Sequence, residues 1–103
     1  DIKERMTRDE IKNLAKLQRE ILSVVNQYVK PGGTLVYSTC TITEEENNEN
    51  ADWIEKHLPF EKKRIADFLP EALKSSCREN RIQLLPGLHP CDGFFISVFK
   101  KKK

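Results

Sequence analysis

Thr34-Leu35-Val36-Tyr37-Ser38-Thr39-Cys40-Thr41-Ile42-Thr43-Glu44-Glu45-Glu46-Asn47 is the stretch on which the fold turns. Its opening is short, β-branched or aromatic, and mostly apolar without strict alternation. That pattern predicts a strand over 34–38 buried on both faces, as in a parallel sheet covered by helices. Thr43 and Glu46 then stand at capping-box spacing. Glu44, Glu45 and Glu46 crowd what would be a first turn, where carboxylates meet the positive end of a helix. A helix over about 44–57 is expected, with Ala51, Ile54 and Leu58 as its sparse apolar face and Pro59 as its stop. The thiol of Cys40 falls between the carboxyl end of a strand and the start of a helix.

Upstream, Thr7 and Glu10 form another capping-box pair. Apolar residues then recur at Ile11, Leu14, Ala15, Leu17, Ile21, Leu22, Val25, Tyr28 and Val29. The helical period predicts a helix over about 7–29 with one wide apolar stripe. Lys30-Pro31-Gly32-Gly33 ends it, because proline cannot continue a helix and glycine accepts the positive φ of the turn. Downstream, 60–65 reads as a short strand and 70–74 as a short helix opened by Pro70. Strands over about 81–85 and 94–99 flank a long turn at 86–93, which predicts an antiparallel pair at the C-terminal edge.

The fold class is therefore α/β, a sheet with flanking helices. A doubly wound domain normally begins with strands and carries its ligand loop after the first one. Here a strand that reads as central has no earlier strand to lie beside it. The chain looks like the second half of such a domain, and Leu35–Tyr37 would offer an open apolar edge for self-association.

Composition bounds the function. The 103 residues hold 18 Lys+Arg against 16 Asp+Glu, with 33% charged and 38% hydrophobic residues, which excludes a disordered tail. No stretch approaches the ~20 apolar residues of a membrane-spanning helix, so no membrane partner is expected. Three cysteines, Cys40, Cys77 and Cys91, with no Cys-x-x-Cys pair, predict reduced thiols and a cytoplasmic location. Only His57 and His89 join them as potential soft ligands, so no metal is expected. The net charge of +2 hides a segregation. Residues 1–30 carry net +2, residues 31–61 net −6 and residues 62–103 net +6. The clusters Lys62-Lys63-Arg64 and Lys100-Lys101-Lys102-Lys103 can neutralise phosphates; the plainer reading is an exposed face and a frayed tail.

No dinucleotide loop, P-loop, zinc-protease or Gly-x-Ser-x-Gly motif occurs. The one position with the makings of reactivity is Cys40, since ligands bind at the carboxyl edge of open α/β sheets and a thiolate is the nucleophilic form of cysteine. The carboxylates at 44–46 would oppose ionisation unless the fold turns them away. The competing reading is a small buried hydrophobe. Glu46 and Asn47 read as cap and solvated face or as substrate-orienting groups, and Trp53 as a partly buried helix residue.

Lys30-Pro-Gly-Gly-Thr-Leu-Val-Tyr-Ser-Thr-Cys-Thr-Ile-Thr-Glu-Glu-Glu-Asn47 resembles the block around the catalytic cysteine of Sun/Fmu-type RNA (cytosine-5) methyltransferases, and among them the bacterial small-subunit ribosomal RNA methyltransferase B group. Leu14-Ala-Lys-Leu-Gln-Arg-Glu-Ile-Leu22 is similar to the family's helix before that strand. Asp92-Gly-Phe-Phe-Ile96 is similar to its C-terminal signature. Asp1-Ile2-Lys3 resembles the stretch just downstream of the family's other cysteine block. The resemblance implies the C-terminal part of a Rossmann-like class I methyltransferase sheet with an antiparallel final strand. It also implies Cys40 as the catalytic residue that adds to cytosine carbon 6, S-adenosylmethionine as methyl donor, and small-subunit ribosomal RNA as substrate.

Departures from the family pattern are equally specific. Pro90-Cys91 is the only Pro-Cys pair and lies beside Asp92-Gly93, not upstream where the family's release cysteine belongs. Nor is there a glycine-rich loop, so no cofactor-binding residue is expected within 1–103. The expectation is a C-terminal fragment of a catalytic domain, inactive alone. The alternative is a stand-alone RNA-binding or interaction module with this fold and no catalysis.

Overall fold

The computed structural model describes residues 7–85 and 93–103. Helix α1 runs Arg8–Val25, and a 3-10 turn at Asn26–Tyr28 completes the expected 7–29 segment. Thr7 caps it, its hydroxyl accepting from Glu10 N at 3.1 Å. Only Ala15 and Leu22 of the predicted stripe are buried, whereas its Leu17, Ile21, Val25 and Tyr28 are exposed. Gly32 takes φ +82°, and a Cβ on Gly33 would sit 2.8 Å from the Lys30 carbonyl oxygen. The glycine pair is thus needed by the chain's own reversal into the sheet.

Strand β1 is Thr34–Thr39, α2 is Asn48–His57, β2 is Phe60–Lys62, β3 is Cys77–Arg78, β4 is Arg81–Leu84 and β5 is Phe94–Lys101. The order across the sheet is β1-β5-β4-β3, with β2 also pairing β5, and every described ladder is antiparallel. The strand buried on both faces is β5, not β1. One face of β5 offers Phe95 and Phe99 to a core with Leu22, Tyr37, Ala51, Ile54 and Phe60. Its other face offers Val98 and Ile96 to a second cluster with Ile65 and Ile82. β1 alternates instead: Tyr37 and Thr39 are buried while Val36 is 57% exposed. The expectation failed because an apolar run fixes which side chains could be buried, not which neighbours arrive to bury them. Val36, Ile65, Phe68, Leu69, Ile96 and Val98 line an open apolar groove of about 340 Å³.

Two further segments depart from expectation. Helix α2 starts at Asn48, not 44, because Thr43–Asn47 is taken up by turns: Asn47 N donates to the carbonyls of Thr43 and Glu44 at 3.1 and 3.2 Å. A hairpin of β3 and β4 turns at Glu79-Asn80, with Glu79 at φ +52°. Glu-Asn is not the usual turn pair, but buried Asn80 compensates by donating its side-chain amide to Val98 O at 3.1 Å and accepting Val98 N at 2.9 Å. The segment 70–74 is a 3-10 helix at Glu71–Ser76. The C-terminal lysines are not a frayed tail: β5 runs through Lys101, whose Nζ donates to Asn26 O at 2.8 Å. Cys91, His89, Asp92 and all but Gly93 of the segment 86–93, expected as a turn, lie outside the described residues, as does Asp1-Ile2-Lys3.

Phe99 is fully buried, meets Phe60 edge-on at 6.5 Å and pairs with both β1 and β2. Truncation there would open a cavity where three strands meet. Phe99→Ala is expected to destabilise the chain by about 3–5 kcal/mol, read by urea denaturation. A loss below about 1 kcal/mol would contradict the central place of β5.

Candidate active site

The alternation of β1 persists past its last ladder residue. Thr39 and Thr41 are buried, while Ser38, Cys40 and Ile42 are exposed. Cys40 therefore shares the side of Val36, away from the α1–α2 layer, because side chains two apart lie on one face of a strand. Cys40 is exposed and free of any disulfide. It is not the buried hydrophobe of the competing reading.

Beneath it lies a buried polar network that supports the loop. Thr39 Oγ1 donates to Asn47 Oδ1 in a short hydrogen bond. Asn47 Nδ2 donates to Thr41 O at 2.9 Å and to Gln83 Oε1 at 2.6 Å. Gln83 Nε2 donates onward to Thr41 O at 3.2 Å and to Phe94 O at 3.0 Å. A second branch ties the loop to α1. Glu46 is fully buried and accepts from Gln18 Nε2 at 3.0 Å and Thr43 Oγ1 at 2.8 Å. Tyr37 Oη donates to Glu46 O at 2.6 Å and accepts from Asn50 Nδ2 at 3.1 Å. Buried polar groups carry a heavy penalty unless paired, so such a network fixes the backbone it touches.

Glu46 and Asn47 are therefore neither a solvated face nor a side-chain cap. Asn47 occupies the N-cap position of α2 without a side-chain capping bond, because its amide is turned onto the cysteine loop. The acidic run is dispersed: Glu46 points inward, and Glu44 accepts from Asn48 Nδ2 at 3.1 Å. Thr41–Asn47 separates Cys40 from the start of α2. Gln83 and Asn50 went unread in the sequence; the only signal was a polar residue inside an apolar strand, in Ile82-Gln83-Leu84, and inside a helix, next to Ala51. Trp53 packs on the edge of the core, 5.5 Å from the His57 ring. Cys77 donates its S–H to Lys74 O at 3.0 Å, a local role.

Beside α2, Arg81 Nη1 donates to Asp52 at 2.9 Å and to Asn48 Oδ1 at 3.2 Å, and Lys62 pairs with Glu79 at 2.9 Å. These pairs tie β4 and β2 to their neighbours rather than forming a free basic face. Among the described residues no group of three or more His, Cys, Asp or Glu is gathered as for a metal ion, and no helix is long and apolar enough to cross a membrane. Gly32 and Gly33 pack closely against Lys103, Lys30 and Val29.

Cys40 thus lies exposed past the end of a sheet strand, on a loop held from below by threonine, asparagine and glutamine. A family model described as 16S rRNA methyltransferase RsmB/F matches residues 1–100. The chain belongs to that family. It is 40% identical over 104 residues to a probable ribosomal RNA small subunit methyltransferase B of Bacillus subtilis, across 99% of this chain and 23% of that protein. To ribosomal RNA small subunit methyltransferase F of Shigella flexneri it is 36% identical over 90 residues, across 85% of this chain and 19% of that protein. Among solved structures, NSun6 from Pyrococcus horikoshii superposes with a TM-score of 0.80 at 27% identity, over 96% of this chain and 25% of that one. A methyltransferase homolog from the same organism gives 0.73 at 32% identity, over 93% and 33%. The helices and antiparallel sheet are thus the C-terminal part of a Rossmann-like methyltransferase fold. Membership in a methyltransferase family implies S-adenosylmethionine as cofactor.

Burial raises the Tyr37 phenol above its ordinary value, the bond from Asn50 opposing and the Glu46 carboxylate assisting. The native state therefore keeps this proton after the unfolded chain, near pH ~10, has lost it. The resulting stability is complete below about pH 10 and is lost as pH rises toward the native value. Tyr37→Phe, which strips Glu46 O and Asn50 of a partner, is expected to lower stability at pH 7 by about 1–3 kcal/mol. The variant should also lose less stability than the parent between about pH 9 and 11. Parallel pH slopes in thermal melts would contradict this.

Proposed function

We propose that this chain carries the nucleophile of a cytoplasmic RNA (cytosine-5) methyltransferase acting on small-subunit ribosomal RNA, and that the nucleophile is Cys40. The observation that supports it is the exposed thiol on a braced loop at the sheet's end, within a segment matched over 1–100 by a ribosomal RNA methyltransferase family.

Cytosine carbon 5 is a weak nucleophile. The Cys40 thiolate forms a C–S bond at carbon 6, and the electron pair of the C5=C6 bond moves to carbon 5, which becomes enamine-like. S-adenosylmethionine, when bound on the parent enzyme, supplies the methyl group that carbon 5 takes. Carbon 5 then gives up its proton to a base, the C5=C6 bond re-forms, and the C6–S bond breaks to return the thiolate. Cys40 thus needs access from the open side of β1 and a fixed direction of approach. Exposure supplies the first, and the bonds on Thr39 and Thr41 supply the second.

The chain spans 23% and 19% of the two bacterial relatives. The cofactor site and the release cysteine are assigned to polypeptide beyond these 103 residues, and the chain alone is expected to be inactive. In the parent enzyme Cys40→Ala is expected to abolish transfer of radiolabelled methyl to small-subunit ribosomal RNA. Retained turnover in that variant would move the nucleophile elsewhere. Turnover by the 103-residue chain alone would refute its dependence on the remainder. That chain is also expected to self-associate through β1, whose pairing among the described residues is with β5 only; a clean monomer in sedimentation would overturn this.

A further inference from the structure

We propose that Asn47 and Gln83 form a positioning clamp that sets the direction of the Cys40 thiol; the proposal rests on Cys40 being the nucleophile. Both residues that flank the cysteine are bonded to one side chain. Thr39 Oγ1 donates to Asn47 Oδ1, and Asn47 Nδ2 donates to Thr41 O at 2.9 Å. Gln83 arrives from β4, 36 positions away, to bond the same Asn47 amide at 2.6 Å and the same Thr41 carbonyl at 3.2 Å. Thr39, by its hydroxyl, and Thr41, by its carbonyl, are thereby held from the inner side, while Cys40 between them is exposed.

Hydrogen-bond accounting fixes the arrangement. Asn47 is fully buried, and its Oδ1 and Nδ2 both have partners. Rotating the amide by 180° would set Oδ1 against the carbonyl of Thr41 and the Oε1 of Gln83, acceptor against acceptor. Gln83 is held the same way, the two N–H groups of its Nε2 facing the carbonyls of Thr41, Leu84 and Phe94. The clamp therefore has one satisfied state, and that state holds the residues on both sides of Cys40. Attack on a ring carbon depends on such pre-set direction, and misplacement by about 1 Å can lower a rate about 100-fold.

The test uses the full-length enzyme with Asn47→Asp, Gln83→Met and Cys40→Ser. Asn47→Asp keeps the acceptor for Thr39 and loses both donations. Gln83→Met keeps length and volume and loses the amide. Both are expected to lower kcat by about 10–100-fold, with KM for RNA and for S-adenosylmethionine within about twofold of the parent's. Iodoacetamide should alkylate Cys40 at an unchanged rate, because the thiol is misdirected rather than buried. Melting temperatures identify any variant that fails to fold, and the other then decides. Parental kcat per folded enzyme in both variants, with Cys40→Ser inactive, would overturn the clamp and leave the nucleophile standing. Turnover retained by Cys40→Ser would overturn the nucleophile, and the clamp with it.

Discussion

A carboxamide sealed inside a protein must find partners for its oxygen and both N–H groups or carry a penalty of about 1–3 kcal/mol for each one missed. That demand, placed on Asn47 at the junction of β1, β4 and α2, organises this molecule around Cys40. Asn47 is satisfied only when Thr39 and Thr41 lie as they do and when Gln83 reaches across from β4. The hairpin that delivers Gln83 depends in turn on Asn80 and β5, and β5 depends on packing from both sides. The loop that carries Cys40 is thus braced by residues far from it in sequence.

The division of labour between the two faces of β1 follows from the same geometry. Strand alternation buries Tyr37, Thr39 and Thr41 toward the helices and leaves Ser38, Cys40 and Ile42 outward. The inner threonines and tyrosine are bonded within the fold, and the outer cysteine is exposed. The inner layer achieves this with hydroxyls and amides more than with charge. Glu46, a fully buried carboxylate in that layer, is held by Gln18 and Thr43.

Most of the elements were legible in the sequence, because periodicity and capping are local properties. Thr7 and the Lys30-Pro31-Gly32-Gly33 stop bracket the first helical segment, and Thr34–Thr39 and Phe94–Lys101 are strands where β-branched and aromatic residues cluster. What failed depended on distant partners. The start of α2 moved to Asn48 because Glu46 and Asn47 serve tertiary bonds rather than a helix cap. Two-face burial went to β5 rather than β1, since pairing partners are not written in a strand's own residues. The candidate site was half legible: Cys40 stands out by position and by family resemblance, whereas Gln83 and Asn50 look like ordinary polar residues until the fold sets them beneath the loop.

The central claim is that the sulfur of Cys40 bonds to a cytosine ring. The most direct measurement is mass spectrometry of the parent enzyme after incubation with S-adenosylmethionine and a small-subunit ribosomal RNA fragment carrying 5-fluorocytidine. Fluorine at carbon 5 blocks the proton loss that would free the enzyme, so the adduct persists. The account predicts a nucleotide mass on the peptide that spans Cys40. An adduct on a different cysteine, or turnover with no covalent species on Cys40, would contradict it.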